Sequence, residues 1–308
     1  MKLFAHVLFC SSPTPTLLMD LPLLQSLHTL TDLAGLDLAP AVIRWNVDPV
    51  LIELGSFAPR WYGLLFGIGF LLSFYVIRRI FLGEGKPERD VDVLLYWILG
   101  GTVIGARLGH CLFYDPGYYL ANPIEILMVH KGGLASHGGF VGVLTALYLY
   151  SRSRPEQPFL WLLDRIAMPA ALTGALVRLG NLFNSEIVGT PTDLPWGFVF
   201  ELRAAELGLV PRHPAQLYES IAYVLICGIL VAMYRYAENR PRFGVLSGAF
   251  MVLVFGARFF IEYVKMEQAH FDIGLSLTMG QLLSLPVVAL GAWLIATSRS
   301  REAEPSGA

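Results

Sequence analysis

Runs of about 20 predominantly apolar residues, the length an α-helix needs to cross a hydrocarbon layer roughly 30 Å thick, recur along this chain. They fall at Trp61 to Phe81, Val91 to Tyr114, Gly133 to Tyr150, Phe159 to Phe183, Pro214 to Met233, Phe243 to Val264 and Leu277 to Thr297. Inside a bilayer every backbone polar group must be satisfied by the protein, which leaves helices and closed barrels as the spanning forms. None of these runs alternates apolar and polar residues as barrel strands do. The expected fold is therefore an all-α polytopic membrane protein of about seven transmembrane helices. Composition agrees: 55% of the 308 residues are hydrophobic and 15% charged, against about 25% charged in soluble chains. A formal net charge of −2 offers no basic footprint for nucleic acid. Cys10, Cys111 and Cys227 lie far apart, so neither a disulfide framework nor a zinc site is indicated, and no metal or other cofactor is expected.

Lys and Arg beside the spans set the expected orientation. Arg78, Arg79, Lys86 and Arg89 follow the first span, Arg152 and Arg154 the third, Arg235, Arg240 and Arg242 the fifth, and Arg299 and Arg301 the seventh. These ends share one side, which is expected to be cytoplasmic. The opposite loops carry Lys131, Arg203, Arg212 and Lys265, which puts the N-terminus outside and the C-terminus in the cytoplasm. Residues 1–45 read as an N-terminal extension or interfacial lead-in, because the apolar stretch before Cys10 is too short for a signal peptide. Residues 46–297 read as one transmembrane catalytic bundle, with 185–213 as a small periplasmic head segment and 298–308 as a cytoplasmic tail.

A charged side chain costs about 2.5–3.5 kcal/mol at the bilayer centre unless it faces a cavity or a partner. The chain nevertheless places Arg107, His110, His137, Asp164, Arg178, Asn181, Asn184, Glu186, Glu219, Arg258 and Glu262 inside or beside its apolar runs. Arg178, Asn181 and Asn184 recur every third residue and share one broad helix face, suited to an anionic head group; the alternative is a bundle-holding pair between Arg178 and a carboxylate such as Asp164. Arg258 and Glu262 have the i,i+4 spacing of an intrahelical ion pair. A guanidinium fixed by a carboxylate is also a good phosphate fork. His137 sits among glycines, and histidine is the residue type that can act as a base near neutral pH; His110 and His130 are its competitors. Pro211-Arg212-His213-Pro214-Ala215-Gln216-Leu217-Tyr218-Glu219 opens the fifth span, with proline where its missing N–H is not needed.

Several motifs occur together and in order. They are Trp61-Tyr62-Gly63-Leu64, Gly105-Ala106-Arg107-Leu108-Gly109, Gly132 to Gly139 around His137, the run from Arg178 through Asn181, Asn184 and Glu186 to Gly189, Arg212 to Glu219, Arg258 to Glu262, and Met279-Gly280-Gln281. From about Asp48 to Thr297 the chain resembles the bacterial prolipoprotein diacylglyceryl transferase family. Leu182 stands where that family commonly has Phe. After Glu262 the family usually continues aromatic-Arg-x-Pro-Asp, whereas here Lys265 is the only base in that stretch. The segment between Gly189 and Arg212 is short.

The resemblance implies transfer of the diacylglyceryl group of phosphatidylglycerol to the lipobox cysteine thiol of a preprolipoprotein, forming a thioether and releasing glycerol phosphate. It implies an enzyme of the bacterial inner membrane whose active site faces the outer leaflet. Its partners would be phosphatidylglycerol, lipobox-containing preprolipoproteins and membrane lipids. Residue matching makes His137 the base and Arg178 and Arg258 phosphate binders, with Tyr62, Arg107, Asn181, Asn184, Glu186, Gly189, Glu219 and Glu262 at the substrate. The different-class alternative is a lipid transporter or flippase, for which intramembrane charges are also expected; its inverted repeats are not found in the sequence.

Overall fold

The computed structural model describes residues 42–53, 55, 58–129, 132–239, 241–266 and 277–298. The chain divides into two compact units, Met1–Ala41 and Val42–Ala308, and every described residue belongs to the second. The first 41 residues of the expected lead-in, His130, and all of the tail beyond Ser298 therefore lie outside the described residues.

Seven long helices follow one another: α1 (Trp61–Gly83), α2 (Glu88–Phe113), α3 (Ser136–Arg152), α4 (Phe159–Phe183), α5 (Ala215–Tyr236), α6 (Val245–Ile261) and α7 (Met279–Thr297). The protein is a polytopic membrane protein. Six of these helices, all but α3, are long and apolar enough to cross a bilayer, α6 counted with its one-turn extension to Val264. The expected third run begins at Gly133, but the helix starts at Ser136. Gly132 and Gly133 hold φ of 87° and 73°, the left-handed region that glycine adopts without cost, so the chain there runs outside the helix.

Helix α3 has 17 residues, about 25 Å of rise, and packs chiefly along α2, with Leu147 and Tyr150 reaching Trp161 and Leu162 of α4. Gly101, Gly105 and Gly109 of α2 meet Gly138, Gly142 and Ala146 of α3 so closely that a Cβ on Gly142 would stand 2.1 Å from the Gly101 carbonyl oxygen. This four-residue spacing of small side chains lets helix backbones approach in lipid, where there is no hydrophobic drive to associate. At α7 the Thr278 hydroxyl accepts from the Gln281 N–H at 3.2 Å while the Gln281 side chain accepts from the Thr278 N–H at 3.0 Å. That reciprocal cap fixes the start of α7 beside α6.

The helix ends separate into two polar layers. At one, Glu84 accepts from Arg165 Nη2 at 2.9 Å, Trp161 Nε1 at 2.9 Å and the Tyr234 hydroxyl at 2.7 Å. Asp164 there caps the start of α6, accepting from the backbone N–H of Gly244 at 2.7 Å and of Ser247 at 2.8 Å. Asp164 is thus committed to α6 and lies about 21 Å along α4 from Arg178 at 1.5 Å per residue, so it is not the carboxylate that Arg178 meets; that partner is Glu219 of α5.

At the other end sits the head segment. Strand β1 (Ile43–Trp45) pairs in parallel with β2 (Phe198–Phe200) in the register Ile43 to Phe198, Arg44 to Val199 and Trp45 to Phe200. Leu182, Val188, Phe198, Phe200 and Leu207 make a small core under it, with Trp45 packed against them. The Trp45 indole also donates to the Leu182 carbonyl at 3.0 Å. Residues 43–45, expected within the N-terminal extension, are therefore paired with the head.

Candidate functional site

The starts of α1, α5 and α7 and the ends of α4 and α6 converge beneath the head. Tyr62 of α1 lies on Gly180 of α4, where a Cβ would come within 2.9 Å of the tyrosine ring and 3.1 Å of its Cα. Two residues earlier on the same helix, Arg178 Nε meets Glu219 Oε2 of α5 at 3.0 Å. Glu219 is wholly buried, and its other oxygen lies 3.4 Å from the ammonium of Lys265. Lys265, itself buried, also reaches Glu262 Oε2 at 3.2 Å. Glu262 faces Gly280 of α7, where any Cβ would fall 2.4 Å from its carboxylate oxygen.

The expected Arg258–Glu262 pair within α6 is replaced by this Lys265–Glu262 contact. α6 ends at Ile261 and a single tighter turn, Glu262–Val264, carries Lys265 back over the helix end. There the Val264 carbonyl accepts from Thr190 N–H at 2.9 Å and Met266 N–H donates to Val188 O at 3.1 Å. Arg258 is half-buried and has no carboxylate partner among the described residues. Tyr223 of α5 lies near Arg178, Arg258 and Glu219.

The turn after α4 is built around Glu186. Ser185 and Ile187 on either side of it have φ of 53° and 56°, unusual for non-glycine residues and most of all for a β-branched one. Glu186 N–H donates to the Asn181 carbonyl at 2.9 Å, and the buried amide of Gln216 donates from Nε2 to the Glu186 carbonyl. The Glu186 carboxylate accepts from Asn181 Nδ2 at 3.0 Å and Asn184 Nδ2 at 3.1 Å. Asn181 Oδ1 in turn accepts from Arg178 Nη1 at 3.3 Å. Gly189 closes the turn against His213 and Val264, where a Cβ would meet the His213 carbonyl oxygen at 2.5 Å. Burial draws the His213 imidazole below its ordinary value.

His137 and Arg107 form a second group. His137 is exposed at the start of α3, its ring 5.7 Å from that of Phe113 and 6.0 Å from that of Tyr114. It lines an apolar cavity of about 730 Å³ along α2 and α3, walled by Ile104, Leu108, Leu112, Phe113 and Val141. Arg107 is buried and occupied: Nε donates to Ile126 O at 2.9 Å, Nη2 to Glu125 O at 2.5 Å, and Nη1 to Gly132 O at 2.6 Å and Gly133 O at 3.1 Å. It clamps the loop leading to His137. No contact joins His137 or Arg107 to the Arg178–Glu219 group among the described residues.

The family model for prolipoprotein diacylglyceryl transferase matches residues 49–297. The chain belongs to that family. Relatives named phosphatidylglycerol–prolipoprotein diacylglyceryl transferase include one from Chloroherpeton thalassium, 52% identical over 253 residues, 82% of this chain and 93% of the relative. Another, from Tolumonas auensis, is 50% identical over 262 residues, 85% of this chain and 100% of its own length. A third, from Porphyromonas gingivalis, is 43% identical over 267 residues. For this transferase family member, sequence reasoning named Tyr62, Arg178, Asn181, Asn184, Glu186, Gly189, Glu219 and Glu262, which the fold gathers here; it noted Gln216 within its motif but gave it no role in the site, and it missed Tyr223 and the two-carboxylate contact of Lys265. A polar Gln216 three residues before Glu219 on one α5 face was the available signal; nothing local marks Tyr223.

Proposed function

We propose that this enzyme transfers the diacylglyceryl group of phosphatidylglycerol to the lipobox cysteine of preprolipoproteins through the two groups of residues just described. The substrate thiolate attacks the glycerol carbon esterified to phosphate. The new C–S bond forms as that C–O bond breaks, and the electron pair leaves on glycerol phosphate. His137 takes the thiol proton, since the thiolate is the nucleophile. Arg178 and Arg258 hold the phosphate, where charge grows as the leaving group departs. Glu219, engaged by both Arg178 and Lys265, orients the Arg178 fork, and Tyr62 and Gly189 bound the site.

The single observation that carries this reading is a guanidinium fixed on a wholly buried carboxylate, beside a second arginine that no described carboxylate neutralises. Such an arrangement favours an incoming anion. The apolar cavity with His137 at its rim supports approach from the lipid phase. We place the enzyme in the bacterial inner membrane, with N-terminus and head segment outside, the C-terminus cytoplasmic, and His137 facing the outer leaflet. The reading is tested with headgroup-and-acyl-labelled phosphatidylglycerol, a lipobox peptide and purified protein in vesicles. Acyl label is expected on the peptide and headgroup label in free glycerol phosphate. Absence of both with folded protein would overturn it.

A further inference from the structure

Two amides at the Glu186 turn, one fully buried and one half-buried, each spend their N–H group on the protein and leave a buried carbonyl oxygen over. Gln216 is fully buried and donates from Nε2 to the Glu186 carbonyl. That acceptor fixes the amide orientation, because only the NH₂ side can donate. Gln216 Oε1 then has no hydrogen-bond partner among the described residues, and it is buried. Asn184 repeats the pattern: Nδ2 donates to Glu186 Oε1 at 3.1 Å, and its buried Oδ1 has no partner among the described residues. Asn181 differs, since its oxygen accepts from Arg178.

A buried acceptor without a donor loses its hydration and gains nothing in return, at a cost comparable to a lost hydrogen bond. Both amides bond Glu186, Gln216 from α5 and Asn184 from the end of α4, and Glu186 is linked to Arg178 through Asn181. A phosphate cannot satisfy them, having oxygens where donors are needed. The complementary ligand carries an anion for Arg178 and hydroxyl donors a few atoms away. Glu219 Oε2 and Glu262 Oε2 are also buried without a hydrogen-bond donor, but Glu219 faces Arg178 and Lys265, Glu262 faces Lys265, and Glu186 already holds two amides, which leaves Gln216 and Asn184 as the neutral acceptors with no cation against them.

We infer that Gln216 Oε1 and Asn184 Oδ1 accept hydrogen bonds from the free hydroxyls of the lipid's glycerol headgroup, making these two residues determinants of headgroup choice. This rests on the transferase reading above and adds to it which groups read the part of the lipid that leaves. A site built to bond a hydroxyl rejects the analogue lacking it, because its own polar groups are then left unpaired.

The test compares phosphatidylglycerol with phosphatidylpropanol, which keeps the phosphate and the three-carbon headgroup and lacks both hydroxyls. Transfer of the diacylglyceryl group to a lipobox peptide is measured for each lipid in mixed vesicles. The wild-type enzyme is expected to prefer phosphatidylglycerol by about tenfold or more in kcat/KM, the size of one or two neutral hydrogen bonds. In Gln216→Met and, independently, Asn184→Leu, that ratio is expected to fall toward one. Should the Gln216 variant fail to fold, the Asn184 variant and the wild-type ratio still decide. Equal use of both lipids by the wild type, or an unchanged ratio in the folded variants, overturns the assignment. Failure of the wild type to transfer from either lipid would instead overturn the transferase reading, and this inference with it.

Discussion

Arg178 and Glu219 meet across the α4–α5 interface with Nε 3.0 Å from Oε2, the carboxylate fully buried and the guanidinium only partly so. Breaking a buried pair by removing one partner costs about 3–5 kcal/mol, because a charge is left uncompensated. Lysine in place of Arg178 keeps the charge but loses the planar fork. Arg178→Lys is expected to fold and to lose about 100-fold or more in transfer. Glu219→Gln should lose activity less steeply and melt at lower temperature. Transfer assays and thermal unfolding in the same detergent check both; wild-type rates in Arg178→Lys would remove the phosphate-fork argument.

The α2–α3 seam gives a purely structural prediction. A side chain at Gly142 would meet the Gly101 carbonyl oxygen at 2.1 Å and Gly105 Cα at 2.8 Å, whereas a Cβ at Gly228 meets nothing within 4 Å. Gly142→Leu must part the two helices, and overpacking of this kind costs about 1–3 kcal/mol or more. The variant should melt well below the parent while Gly228→Ala melts with it. Matching melting curves for the two variants would show that the close approach is not needed.

The helices and most of the site were legible because their causes are local. A long apolar run must be helical in lipid, and a charged or amide side chain inside one must have a partner, so Arg178, Glu219 and Glu262 announced themselves. Their partners were less legible. The spacing of Arg258 and Glu262 matched an ion pair, yet the tight turn after Ile261 brings Lys265 to Glu262 instead, and i,i+4 spacing predicts contact only while the helix continues. Arg107 read as a substrate ligand from its motif. Its donors go to four backbone carbonyls of a loop, and carbonyls carry no sequence signal. Residues 43–45 could not be assigned to the head, since a three-residue parallel pair joins segments more than 150 positions apart.

Orientation is open to a direct measurement. Glu238 is exposed in the α5–α6 turn, and Asp193 is exposed in the head. In a background without Cys10, Cys111 and Cys227, cysteine at Asp193 should react with an impermeant thiol reagent added to intact cells, and cysteine at Glu238 only after lysis. Glu84 is a poor reporter because it holds Arg165, Trp161 and Tyr234. Labelling of the Glu238 position from outside would invert the proposed topology.

His213 makes the head sensitive to acid. Its burial disfavours the charged imidazole, so the folded protein binds this proton less readily than the unfolded chain. Stability from this source is complete above the unfolded value of about 6.5 and declines as pH falls through it toward the lower folded value. The ring lies 3.2 Å from the Tyr218 hydroxyl, and its backbone bonds Gly189 and Thr190. Melting temperature is expected to drop between about pH 7.5 and 5.5, and to drop less in His213→Gln. Parallel pH profiles for the two proteins would exclude His213 as the source.

The last prediction concerns His137, which stands apart from the arginines on an exposed rim beside Phe113 and Tyr114. An unperturbed cysteine thiol, with a pKa of about 8.5, is only a few per cent ionised at neutral pH. A positioned base typically contributes about 10² to 10⁴ in rate. His137→Gln is therefore expected to fold, bind phosphatidylglycerol with parental affinity and lose most transfer at neutral pH. Raising the pH toward 9 ionises the substrate thiol without help, so part of the activity should return in the variant while the parent gains little. His110→Gln is the control: its ring stacks on Tyr114 at 5.2 Å in the same aromatic cluster, so it perturbs the packing and leaves the base in place. A pH-rescued pattern in His110→Gln, with His137→Gln as active as the parent, would move the base to the neighbouring histidine.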